Sequence, residues 1–107
     1  MMTQYPELDL MYHIPNEGKR SKVLGMILKA MGLKPGVPDL CLPVPRCGYG
    51  ALYIEMKSRT GMPSADQKRW LVKLTRAGNC AVVCREWTAA AKFIEQYLKG
   101  ELKREVD

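Results

Sequence analysis

The chain has 107 residues, 47% of them hydrophobic and 26% charged, ordinary values for one globular domain with a modest core. Its apolar runs are only a few residues long, so none can span a bilayer, and MMTQYPEL lacks the basic-then-apolar plan of a signal peptide, which makes the cytoplasm the expected compartment. Lys and Arg number 17 against 11 Asp and Glu, a formal +6 that suits a polyanion such as DNA or RNA and equally a solvated basic surface.

LDLMYHI is apolar with weak alternation and is stopped by Pro15, which predicts a short strand over residues 11–14. After a polar turn, Ser21 is placed to cap a helix over 21–32. Val23, Met26, Ile27, Ala30 and Met31 share one of its faces, and Gly32 ends it. Pro35-Gly36 is a turn, and residues 37–42 form the next strand candidate, ended by Pro43 and Pro45. Residues 51–57 are the best strand in the chain. Alternation puts Leu52, Ile54 and Met56 on one face and Tyr53, Glu55 and Lys57 on the other. The two strands predict an antiparallel hairpin.

Ser64 opens a helix to about Ala77, with Leu71, Leu74 and Trp70 toward the core and Gly78 after its end. AVVC, residues 81–84, reads as a short buried strand. Following a helix, it is expected to lie parallel to an earlier strand. Thr88 is placed to cap a last helix with Ala91, Ile94 and Leu98 at core spacing, and the charged tail ELKREVD follows Gly100. The predicted architecture is a single α/β domain over 1–107, a small mixed sheet flanked by helices.

Cys41, Cys47, Cys80 and Cys84 are spaced C-x5-C and C-x3-C, unlike the C-x2-C knuckles of zinc ribbons. Three of them lie in apolar, strand-like runs and read as small core residues. His13, the single histidine, has no neighbour in sequence that would orient it for nucleophilic chemistry.

The residues with a chemical reading are Asp39, Glu55 and Lys57. If the two strands pair, Asp39 and Glu55 converge, and two adjacent carboxylates repel unless a hard divalent cation relieves them. Lys57, on the same face as Glu55, adds a positive charge where a phosphoryl oxygen sits. Together these groups are the equipment of metal-assisted phosphodiester hydrolysis. The bland alternative is a turn aspartate and a solvated Glu-x-Lys edge. Lys19, Arg20, Lys68 and Arg69 are candidate contacts to a DNA backbone, which position a substrate without reading its sequence.

The pattern Pro38-Asp39 followed by Glu55-x-Lys57 resembles the PD-(D/E)xK nuclease superfamily, and most closely its VRR-NUC branch. The phrases IPNEGKRS, GVPDLCLPVPRCGYGALYIEMK, PSADQKRWLVKLTRAG and VVCREWTAAAKFIEQYL carry the likeness across nearly the whole chain. The resemblance implies a restriction-endonuclease-like core and a stand-alone nuclease of the phage or bacterial kind. It further implies a homodimer that cuts branched DNA, four-way junctions included, with Mg2+ or Mn2+. Carried over by position, Asp39 and Glu55 are metal ligands, the Met56 carbonyl is a further ligand, Lys57 is the catalytic lysine, and Gln67 matches a helix glutamine that reaches toward the site. Ser64-x-x-Gln67 also fits a helix capping box, and the two roles are compatible. Relatives usually carry a preceding acidic helix for which MMTQYPEL shows no counterpart. Glu7, Glu17 or a partner chain are the possible substitutes, and both glutamates read as surface residues. A non-catalytic nucleic-acid-binding module and an assembly subunit are the alternative functions.

Overall fold

The computed structural model describes residues 5–14 and 36–102. The helix expected over 21–32, with Glu17, Lys19 and Arg20 before it, lies outside them. A 3-10 helix, Pro6–Leu10, leads into β1, Tyr12–His13. Then come β2, Leu40–Leu42, β3, Leu52–Lys57, and α1, Ala65–Arg76. β4, Cys80–Arg85, and α2, Glu86–Leu98, complete the described fold. The sheet order is β1-β2-β3-β4. The first two pairings are antiparallel and β3 with β4 is parallel, as the intervening helix requires. This is the small mixed α/β sheet that the pattern predicts.

β2 is shorter than expected. Gly36 adopts φ +90°, and Pro38 has no N–H to give a ladder, so pairing starts only at Leu40. A Cβ on Gly36 would lie 2.6 Å from the Asp66 backbone carbon. Glycine therefore lets the approach to β2 pass against the first turn of α1.

All three β2 residues are buried, together with Leu52 and Ile54 of β3 and Cys80 and Cys84 of β4. α2 covers this surface with Ala90, Ile94, Tyr97 and Leu98, spaced as one helical stripe. Two details of the expected helix change. Thr88 is exposed inside the first turn and caps nothing, because β4 runs on to Arg85 and Glu86, at φ +68°, swings the chain straight into the helix. The apolar stripe accordingly uses fully buried Ala90, and Ala91 is only half-buried.

α1 begins as expected. Ser64 Oγ accepts the Gln67 N–H at 3.2 Å and Gln67 Oε1 accepts the Ser64 N–H at 2.8 Å, a complete capping box. Its apolar side is less buried than the periodicity suggests. Trp70, Leu71 and Leu74 are half-buried and no α1 residue is fully buried, since the helix packs on β4 at the edge of the described sheet.

Tyr97 joins the core to the β2–β3 loop. Its ring is fully buried and its hydroxyl donates to the Val44 carbonyl at 2.6 Å. Burial pushes the phenol up to about 12, so it stays a neutral donor. Tyr97→Phe strands that carbonyl without its partner, and urea denaturation should show a loss of about 1–3 kcal/mol. An unchanged midpoint would mean that the bond contributes nothing net.

Candidate functional site

The site forms where β2 stops and β3 continues. One register step beyond the Leu40↔Ile54 pair, Asp39 stands opposite Glu55. Directly opposed residues project to the same face, with Cβ atoms about 4.5–5.5 Å apart. The Met56 N–H points toward β2 but finds no strand residue to pair with. Asp39 Oδ2 accepts it at 2.8 Å, while the Asp39 carbonyl accepts the Ile14 N–H at 2.7 Å. Asp39 is thus tied to both neighbouring segments by hydrogen bonds that the backbone demands in any case. In an extended strand the N–H and C=O of one residue leave on the same side, so the Met56 carbonyl faces Asp39's side as well.

Glu55 is only 1% exposed, the one charged residue in the described core. Its Oε1 is buried without a hydrogen-bond partner among the described residues. Lys57 Nζ lies 3.8 Å from Glu55 Oε2 and retains 21% side-chain exposure, so the pair opens to solvent on the lysine side. Burial, followed by the Asp39 carboxyl that shares hydrogen bonding and charge with it, pushes Glu55 up to about 8. Lys57 opposes that shift without cancelling it. The structure therefore brings Asp39, Glu55, Lys57 and the Met56 carbonyl to one place.

An orphaned buried carboxylate oxygen, a second carboxylate opposite it and a nearby backbone carbonyl are hard oxygen donors, and they fit Mg2+ or Mn2+. Among the described residues no group of three or more His, Cys, Asp or Glu side chains gathers to hold a metal. Two carboxylates are what this stretch offers. Glu7 does not add a third, because it pairs with Arg46 at 2.8 Å. Gln67 has its side-chain oxygen engaged in the capping box. Lys68 and Arg69 are exposed on α1, with Arg69 paired to Asp66. They share a cavity of about 280 Å³ with Val72, Lys73 and Arg76 whose described lining excludes the carboxylates. His13 is exposed on β1, and Cys41, Cys80 and Cys84 are buried as free thiols.

Sequence reasoning gave Arg85 no role, and the structure gives it one. It pairs with Lys57 across the parallel strands. Its guanidinium donates to the Ser58 carbonyl at 3.1 Å and to the Gly61 carbonyl, and its Nη2 lies 3.7 Å from the Met62 sulfur. The loop that leaves Lys57 toward α1 is thereby held against the end of β4. The available signal was an arginine closing an apolar strand, and it becomes readable only once the parallel register is known.

The VRR-NUC domain family matches the chain over residues 2–87. A solved structure described as a VRR_NUC domain protein superimposes with a TM-score of 0.76 at 28% identity, covering 91% of this chain and 77% of that one. No match was found among curated proteins.

The raised Glu55 pKa makes a signed prediction for the metal-free protein. The folded chain holds that proton more tightly than the unfolded chain. The resulting stability is complete below the ordinary 4.5 and is lost as pH rises through about 8. In EDTA, Glu55→Gln should therefore leave the melting temperature nearly unchanged at about pH 5 and raise it above wild type at about pH 9, where the variant buries no charge. A wild-type-to-variant difference that does not move with pH would contradict this.

Proposed function

The chain belongs to the VRR-NUC domain family, a family of nuclease domains, and from that premise we propose that it is a metal-dependent, structure-selective DNA endonuclease acting on branched DNA such as four-way junctions. The observation that carries the reading is the buried Glu55, orphaned at Oε1, opposite Asp39 and beside Lys57. A carboxylate pair held this way is costly to fold and is best explained as a cation site.

Asp39, Glu55 and the Met56 carbonyl would hold the Mg2+ or Mn2+. Such a cation, when bound, supplies a water of lowered pKa and offsets charge on the phosphate. The chain's own groups do the rest. Asp39 is oriented in advance by the Met56 N–H, so its geometry does not depend on the substrate. Lys57 carries its charge at the open side of the pair, where it meets a nonbridging phosphate oxygen and stabilises the charge that grows there. Gln67 keeps the start of α1 in place through the capping box. Lys68 and Arg69, with Lys19 and Arg20, supply backbone contacts that carry shape rather than sequence. A homodimer would give one site for each strand of a junction, and the working compartment would be the cytoplasm of a bacterial cell.

A second reading is a nucleic-acid-binding module without catalysis. It is favoured by the count of two carboxylates among the described residues, where the family resemblance implies a third acid. Labelled linear, flapped and four-way DNA incubated with and without Mn2+ separates the two. We expect Mn2+-dependent cleavage of the branched substrates that falls at least about a hundredfold in Asp39→Ala and in Lys57→Ala, while DNA affinity changes little. Tight binding with no cutting in any metal would establish the module instead.

A further inference from the structure

The two most exposed large apolar side chains among the described residues are Met62, 68% exposed, and Trp87, 66% exposed. They belong to different elements, yet the sheet delivers both to one end. Lys57 and Arg85 are paired at the carboxyl ends of β3 and β4. Met62 is in the loop that follows Lys57 and is held there by Arg85. Trp87 is two residues beyond Arg85, after the sharp turn at Glu86. Arg59 reaches the same turn, 3.7 Å from Glu86, across an exposed ion pair too weak to remove its charge from the surface. An exposed indole and a thioether therefore belong to the same strand ends as Lys57, Arg59 and Arg85, at the end of the sheet that carries Glu55.

We propose that Trp87, with Met62 beside the same strand ends, is a stacking platform for one unpaired nucleobase of the DNA substrate. Charge and size both select this occupant. Flat apolar surface fringed by cations is what a base joined to a phosphate requires, and it accepts any base because every base has a π-face. Two side chains offer far less than the roughly 800 Å² per partner of a stable protein interface, and an indole presents at most about 250 Å². A platform at the same end of the sheet as the site gives structure selectivity a physical cause. A strand with an unstacked nucleotide gains a contact there that a fully paired duplex cannot make.

The inference rests on the nucleic-acid part of the proposed function and not on hydrolysis, so it is tested by binding in EDTA. Trp70→Phe leaves Trp87 as the single tryptophan of the chain. Its emission should be quenched by flapped and gapped DNA and not by blunt duplex. Trp87→Ala should weaken binding to the flapped and gapped DNA by about tenfold while changing duplex affinity less than about twofold, and Trp87→Phe should keep most of the affinity. Equal losses on paired and unpaired DNA, no selective quenching, or no DNA binding at all would overturn the platform. So would a Trp87 emission shift that depends on protein concentration without DNA, because a second copy would then occupy the indole. Quenching without cleavage in Mn2+ would remove the hydrolytic reading alone, and cleavage without quenching would remove the platform alone.

Discussion

Two carboxyl groups facing each other across the end of a hairpin set the terms for the rest of this structure. Glu55 lies buried, and Asp39 is fixed opposite it by the N–H of the next residue along β3. The placement of Glu55 does not help folding on its own. An ionised carboxylate removed from water costs several kcal/mol unless it is paired, and the nearest cation among the described residues, Lys57, stays at 3.8 Å. The metal-free protein meets this cost by protonation, which is why burial and the facing acid raise Glu55 so far. The surrounding core makes the arrangement affordable: β2 is buried along its whole length, and Tyr97 and Ile94 of α2 close the sheet from one side.

The same local geometry explains why Asp39 is well placed before any substrate arrives. Pro38 and the positive φ of Gly36 delay the start of β2, and that delay leaves the Met56 N–H without a strand partner. The aspartate side chain fills the vacancy in the ladder. Asp39 is thus positioned by a backbone hydrogen bond that the fold needs anyway, and its stability role and its proposed chemical role have one cause. At the same end of β3, Arg85 restrains the loop after Lys57, so the lysine's neighbourhood is also set by the sheet and not by a free loop.

Much of this was legible in the residues. Alternation in LYIEMK assigned Glu55 and Lys57 to one face, Ser64 and Gln67 announced the capping box, and the helix between β3 and β4 implied their parallel pairing. The Asp39–Glu55 juxtaposition required one more step, the hairpin register, which the nine residues between Leu42 and Leu52 do not specify. The start of α2 was misplaced because a glutamate at φ +68° is a conformation that composition does not announce, and the error carried the expected core stripe from Ala90 to Ala91. Arg85 and Trp87 went unassigned for a related reason. Their meaning depends on which strand ends lie side by side, and that is a property of the sheet.

The most direct test of the convergence of Asp39, Glu55 and the Met56 carbonyl is anomalous diffraction from crystals soaked in Mn2+. We expect a single strong peak among the oxygens of these three residues, with Lys57 beside it. Saturating Mn2+ that leaves this place empty, or that orders elsewhere on the chain, would contradict the assignment of the buried carboxyl pair as a cation site.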